Sequence, residues 1–247
     1  MILHETKLFT LNRTATKQTP LQPSGIVVHS TGVNQKKISA YWWQFNTTTI
    51  SASVHGFIGL NDAGELCYQQ TLPYTHACWG CGSGKNGSYN ASHIQFEICE
   101  DVNDAAWTRQ TYDAAIEICA ELCRQFNISP ARVVSHVEAN RLGFASAHAD
   151  TEHWWGKYGL TMDAFRAELK NRLEDNSLKR YKTIFDVPSS LQPETKQLIA
   201  SGALKGRGDG VLDVSDDMLR AMIVCKRYVD AKLPDDIKLS SGLLTDD

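Results

Sequence analysis

The sequence of 247 residues has no apolar run near the roughly 20 residues that a membrane-spanning helix requires, so bilayer insertion is not expected. It has no basic block either. Lys and Arg number 25 against 28 Asp and Glu, a formal net charge of −3. Phosphate backbones demand a concentrated positive face, which sets nucleic acid aside as a partner. The first 20 residues lack a basic stretch followed by an apolar one, so no secretory signal is expected. Cysteine is present but unorganised: seven residues, an odd count, with one isolated CxxC at Cys78 and Cys81 and no second pair at ribbon spacing. Cys99, Cys119 and Cys123 fall in apolar patterns and are expected as buried thiols. A hydrophobic content of 42% suffices for one sizeable core plus a small second unit.

What is present alternates short strands with helices, the pattern of an α/β sheet. Gly25-Ile-Val-Val-His29 reads as a buried strand ending at a histidine. Residues 36–46 read as a helix with its tryptophans inward, and Val54–Leu60 and Glu65–Gln69 as strands around the turn Asn61-Asp-Ala-Gly64. Residues 75–92, rich in Gly, Ser and Asn, read as a long surface loop, a feature that is often functional. His93–Cys99 is a strand with Ile94, Phe96 and Ile98 on one face and His93, Gln95, Glu97 and Cys99 on the other. Asn103 or Asp104 can cap a helix whose apolar stripe runs Tyr112, Ala115, Ile116, Cys119, Leu122, Cys123 and Phe126. Arg132–His136 is a second strand ending in a histidine. An irregular stretch follows it, then a helix from about Met162 to Leu173. A main α/β domain is expected over residues 1–175, a polar linker over 176–182, a small helical unit over 183–233 and a loose tail over 234–247. The small unit holds two helices, about Pro193–Ser201 and Ser215–Lys232, around the turn Gly206-Arg-Gly-Asp-Gly210.

The strand-end histidines His29 and His136, with a third ligand from Ala147-His-Ala-Asp-Thr-Glu-His153, supply the donors of a three-ligand zinc site with an open fourth position. Such a site produces a usable hydroxide near neutral pH. Glu97, on another strand, can serve as general base. Spacing alone does not separate this reading from ordinary hydrogen-bonded histidines.

The runs Ile26-Val-Val-His-Ser-Thr-Gly32, Ile94-Gln-Phe-Glu-Ile-Cys-Glu100, Ser135-His-Val-Glu138 and His148-Ala-Asp150 span residues 24–172 in order. They resemble the successive motifs of the type 2 N-acetylmuramoyl-L-alanine amidases, a zinc family that includes phage endolysins, autolysins and peptidoglycan recognition proteins. The texture of residues 78–100 is similar to prophage endolysins of clostridia-like Gram-positive bacteria. The resemblance implies a mixed central β-sheet flanked by helices, one Zn2+ on His29, His136 and Asp150, and Glu97 as catalytic residue. It implies bacterial peptidoglycan as substrate, cut by a zinc-bound water between the N-acetylmuramic acid lactyl group and L-alanine.

His148 stands where the family often has a lysine that holds the oxyanion, and is expected to take that catalytic role. The alternative makes His148 the third ligand and leaves Asp150 outside the first sphere. Trp79-Gly80 replaces a common Trp-His, and a tyrosine near the metal is not evident. His55, His76, Trp79 and Asn90 are the candidates for substrate binding. Residues 181–221 loosely resemble one surface-layer-homology repeat, implying attachment to a secondary wall polymer, with self-association into a homo-oligomer as a means of strengthening a single copy. The setting implied is an endolysin made in the cytoplasm and released to the wall through holin-type membrane holes. The alternatives are a host autolysin and a non-catalytic peptidoglycan-binding protein.

Overall fold

The computed structural model describes residues 2–175, 180–208 and 211–232. The chain divides into two compact units, Met1–Leu173 and Glu174–Asp247. Residues 176–179 of the expected linker, Asp209 and Gly210 of the glycine-rich turn, and the tail 234–247 lie outside the described residues.

The first unit is built on a six-stranded sheet: β1 (Leu3–Thr6), β2 (Gly25–Asn34), β3 (Gly56–Leu60), β4 (Leu66–Gln70), β5 (His93–Glu100) and β6 (Val133–Ser135). The spatial order is β1-β4-β3-β5-β2-β6. Only β3 and β4 pair antiparallel, through the Asn61–Gly64 turn, where Gly64 adopts φ +82°. Every other pair is parallel, so the sheet is mixed as expected. β1 was not foreseen: its residues are mostly exposed, so no alternation marks it, and it closes one edge beside β4.

Helices α1 (Ile38–Phe45), α2 (Ala105–Phe126), α3 (His136–Arg141), α4 (Glu152–Trp155) and α5 (Met162–Asp175) complete the unit. Asp104 caps α2, accepting from the Trp107 N–H at 2.9 Å. The α2 stripe buries against Ile26, Val28, Ile94, Phe96 and Ile98 on one face of the sheet. There Tyr112, Trp155 and Phe165 form an aromatic cluster with centroids 5.0–5.5 Å apart. The opposite face carries Val27, His29, Gln95 and Glu97. Beside them Phe57, the cross-strand partner of Glu97, stacks on Tyr41 of α1 at 5.9 Å. Trp42 packs inward, but Trp43 is 66% exposed, because adjacent helical positions point about 100° apart and cannot share one face.

Two further expectations change. Residues 75–92 are a surface loop only in part: Thr75, Trp79, Ser83, Lys85, Asn86, Gly87 and Ala91 are exposed, whereas Cys78, Cys81, Tyr89 and Asn90 are buried. His136 does not end a strand; it opens α3. Ser135 forms a capping box there, accepting from the Glu138 N–H at 3.1 Å while its own N–H reaches the Glu138 carboxylate at 3.3 Å. Arg166 of α5 holds Glu138 through two contacts, 2.7 and 2.9 Å, and donates to the Val133 carbonyl at 3.1 Å. These contacts occupy backbone groups of the short edge strand β6 that could otherwise recruit another chain.

The second unit is not purely helical. β7 (Arg180–Tyr181) pairs antiparallel with β8 (Val214–Ser215), joining α6 (Gln192–Ala200) and α7 (Asp216–Lys232). Tyr181, Val187, Leu198, Leu204, Leu212, Val214, Leu219 and Ile223 form its own core. Among the described residues no helix is long and apolar enough to cross a membrane.

Ser135 is fully buried and also donates to Glu152 at 2.6 Å. Ser135→Ala is expected to cost about 1–2 kcal/mol, the usual value of an N-cap, and to lower the melting temperature by about 2–4 °C per kcal/mol. An unchanged calorimetric transition would contradict the capping role.

Candidate metal centre

The register sets the site. His29 on β2 and Glu97 on β5 are direct cross-strand partners and leave the same face of the sheet. His136 comes to the same place through the turn from β6 into α3. Asp150 arrives on a segment fastened at both sides: its carbonyl accepts from the Val137 N–H at 3.2 Å, and Trp154 and Trp155 behind it are buried in the main core. His153 adds a 3.1 Å contact to the buried Glu100.

His29 Nδ1 lies 3.1 Å from Asp150 Oδ2 and 3.0 Å from His136 Nδ1, which is 3.5 Å from the same carboxylate oxygen. All three residues are buried. Among the described residues they are the one group of three such donors that converge. The other ring nitrogens face acceptors: His29 Nε2 is 2.9 Å from Gln95 Oε1, and His136 Nε2 is 3.1 Å from the Ser146 carbonyl. These acceptors call for hydrogen on both Nε2 atoms, and an imidazole so placed, in its neutral form, turns a lone pair inward beside a carboxylate. Lone pairs at that spacing repel unless a proton or a cation lies among them. Ligand atoms around a tetrahedral zinc with bonds of about 2.0–2.1 Å stand about 3.3 Å apart. The observed separations bracket that value, so the donor set fits the ion in spacing and in chemistry.

Burial works to raise the Asp150 pKa, but hydrogen bonds and positive charge from the His136 and His29 rings, where a ring proton takes the place a cation would fill, more than offset it and hold the carboxyl well below its ordinary value. Glu97 moves the other way. Burial, reinforced by the nearby Asp150 charge, raises its pKa well above the usual carboxylate range. Its Oε2 is buried and, among the described residues, has no hydrogen-bond partner. Opposite shifts in neighbouring carboxyls separate a charged ligand from a group able to hold and pass a proton.

His148 stacks face to face on His136, centroids 4.5 Å apart, and its side chain is 60% exposed. It lies outside the converging group, with Nδ1 3.8 Å from Asp150 Oδ1. The residues expected to bind substrate separate into two pairs. His55 is fully buried, its Nδ1 accepting from the Gln95 N–H at 3.0 Å and its Nε2 donating to the His76 carbonyl at 2.9 Å. Asn90 is buried and spends its amide on the 80–82 turn and Gln95. Neither keeps a polar atom for a ligand. His76 is half-buried and Trp79 half-exposed. All seven cysteines are free thiols, and burial pushes those of Cys78 and Cys81 upward, away from reactive thiolates. Gln95 was not singled out from sequence, although its alternation with Glu97 put it on the site face.

Fold and site together define a mixed α/β protein with a buried two-histidine, one-carboxylate centre suited to a divalent metal. Residues 19–153, more than half of the chain, match the family model described as N-acetylmuramoyl-L-alanine amidase, and the chain belongs to that family. An N-acetylmuramoyl-L-alanine amidase of Bacillus sp, CwlA, is 28% identical over 120 residues, which are 49% of this chain and 45% of that protein. The match thus spans less than half of that relative's length. A mutant endolysin from Bacillus subtilis superposes with a TM-score of 0.54 at 23% identity, covering 68% of this chain and 99% of the other. The Staphylococcus aureus hydrolase AmiA does so with 0.56 at 19%, covering 70% and 83%. These likenesses show the fold.

Burial lowers the pKa of His55 from 6.5 to about 4 and, with Arg132 nearby, that of His93 from 6.5 to about 3. Below pH 6.5 the unfolded chain binds protons that the folded chain refuses. Stability is therefore full above pH 6.5 and is lost as pH falls toward 4, at up to about 1.4 kcal/mol per pH unit for each imidazole. Urea denaturation at pH 7.5 and 5, with NMR titration of the His55 ring, checks this. A ring that titrates near its ordinary value would contradict the burial.

Proposed function

We propose that the protein is a zinc-dependent amidase of bacterial peptidoglycan, cleaving the amide between the N-acetylmuramic acid lactyl group and the L-alanine of the stem peptide. What carries this reading is the convergence of three lone-pair donors beside a buried carboxyl of raised pKa, in a chain of the amidase family.

One zinc ion on His29 Nδ1, His136 Nδ1 and Asp150 would polarise the lactyl carbonyl and bring a water's pKa from near 16 to about 7. Glu97 receives the attacking water's proton on its unpartnered Oε2. It returns that proton to the amide nitrogen as the C–N bond breaks, so the stem peptide leaves as an amine. His148, exposed beside His136, donates an N–H to the tetrahedral oxyanion, the task assigned to a lysine elsewhere in the family. Trp79, 50% exposed, offers a face on which a sugar ring can stack, with His76 near it in sequence. A purely wall-binding protein needs neither the donor set nor a carboxylate oxygen without a partner, which ranks that reading second.

Removal of metal with a chelator is expected to abolish release of new amino groups from purified walls, and zinc to restore it. Mass analysis of the digest should find whole stem peptides freed from unbroken glycan. Glu97→Gln should lower kcat by about 10²–10⁴-fold while zinc remains bound. Full activity in the metal-free protein would exclude the mechanism.

The second unit has a core of its own and exposes Phe185, Met218, Val224 and Tyr228. We read it as an anchor for a secondary wall polymer, raising local enzyme concentration on an insoluble substrate. The setting that suits both units is an endolysin acting on the wall after holin-type release. A chain ending at residue 173 should turn over soluble muropeptide as the full chain does, yet fail to sediment with walls. Undiminished sedimentation would remove the anchoring role.

A further inference from the structure

We propose that Gln95 is a positioning residue of the metal centre, which fixes the ring nitrogen of His29 that carries hydrogen, and that Asn90 in turn fixes Gln95. The inference rests on the zinc reading above.

A neutral imidazole has one N–H and one lone pair, and the two nitrogens of His29 face different demands. Nδ1 points at Asp150 and His136; Nε2 points at the Gln95 amide. The two ends of that amide are chemical opposites. With the oxygen toward His29, Nε2 must carry the hydrogen and Nδ1 keeps its lone pair for a cation. With the amide reversed, Nε2 must accept, the hydrogen moves to Nδ1, and the ligand atom is blocked.

The orientation follows from groups that cannot reverse. Backbone N–H groups of Gly80 and Cys81 donate to Asn90 Oδ1 at 3.0 and 3.1 Å, and Asn90 Nδ2 donates to the Gly82 carbonyl at 2.9 Å. With Oδ1 so fixed as an acceptor, the group 2.9 Å from it on Gln95 is the NH2, and Oε1 is left for His29. The main chain of residues 80–82 thus dictates, through two side-chain amides, a hydrogen on a ring across the sheet. His136 reads the same turn by another route: its Nε2 acceptor is the Ser146 carbonyl, and the Ser146 N–H bonds the Cys81 carbonyl at 2.9 Å.

A second, independent observation concerns Gly80. A Cβ at this position would lie 2.5 Å from Gln95 Oε1. A Cβ there would have to push the amide oxygen from its place beside His29, so the Trp79-Gly80 pair and Gln95 form one arrangement. Outer partners of ligating histidines govern ring orientation and ligand basicity, and their loss costs about 10- to 100-fold in metal affinity.

The test uses the full chain, with zinc affinity measured by competition against a chromophoric chelator and the His29 ring observed by NMR in the metal-free protein. Gln95→Leu and Asn90→Leu are expected to weaken zinc binding by about 10- to 100-fold. Asn90→Asp keeps the acceptor for Gln95 although it loses the bond to the Gly82 carbonyl, and should retain more zinc affinity than Asn90→Leu. Gly80→Ala, which displaces Oε1, should reproduce Gln95→Leu and serves if the latter does not fold. Loss of thermal stability without loss of zinc affinity would assign these residues a structural role and overturn the proposal. Should the wild-type chain take up no zinc, the metal reading fails. The ring still decides the positioning claim, because His29 Nε2 must carry its hydrogen in wild type and lose that preference in Gln95→Leu. A bare Nε2 in wild type overturns it outright.

Discussion

Everything else in the first unit is arranged around one electrostatic constraint: two imidazole lone pairs and a carboxylate oxygen lie 3.0–3.5 Å apart in the interior. In water such acceptors would turn away from one another. Here they cannot, because each is held from behind. His29 sits on a central strand between two parallel neighbours, His136 begins a helix whose cap and edge contacts fix its first turn, and Asp150 is pinned by a backbone bond on one side and two buried tryptophans on the other. The free energy of holding like groups together comes from the surrounding core, and a cation can release it. This is the sense in which the metal site is a property of the fold rather than of three side chains.

The same logic explains why the site face of the sheet is polar yet buried. Burying His55, Asn90, His93 and Gln95 is tolerable only because their polar atoms find partners. For His55 Nε2 and Asn90 the partners are backbone groups of residues 76–82, and the Gln95 side chain is held by Asn90 and His29. A segment that looks like solvent-facing loop by composition is solvent-facing on one side and lines the site on the other, through Cys78, Cys81, Tyr89 and Asn90. Its glycines and short polar residues admit close approach, and its carbonyls and N–H groups satisfy side chains beneath the candidate metal ligands.

That difference marks how much was legible in the sequence. The strand carrying His29 showed a short apolar run, the strand carrying Glu97 showed apolar alternation, and α2 showed a continuous stripe with an acidic cap, so these elements could be read directly. His136 was found as a candidate ligand, but its element was misread. A three-residue strand followed by a capped turn of helix contains too few apolar positions to show a period, and Ser135-His-Val-Glu138 reads as a cap only once the backbone is seen to turn. β1 and the β7–β8 ribbon were invisible for a similar reason, being two to four residues long. His55 was a candidate as the titratable side chain nearest the place of the missing tyrosine, yet nothing in composition distinguishes an imidazole facing substrate from one bonded on both nitrogens beside a sheet.

The case of Gly80 carries the argument further. Read as a string, glycine after Trp79 is a loss, a position where a functional histidine is missing. Read in three dimensions it is space, for a Cβ there would lie 2.5 Å from the Gln95 amide oxygen and could stay only by displacing it. A glutamine facing a ligating histidine and a glycine fifteen positions earlier constrain each other, although neither suggests the other along the chain. Substitution at a metal centre is then better judged by pairs than by positions. His148 in place of a lysine is open to the same view, since its ring lies flat on His136 and is confined by that contact as a flexible ammonium would not be.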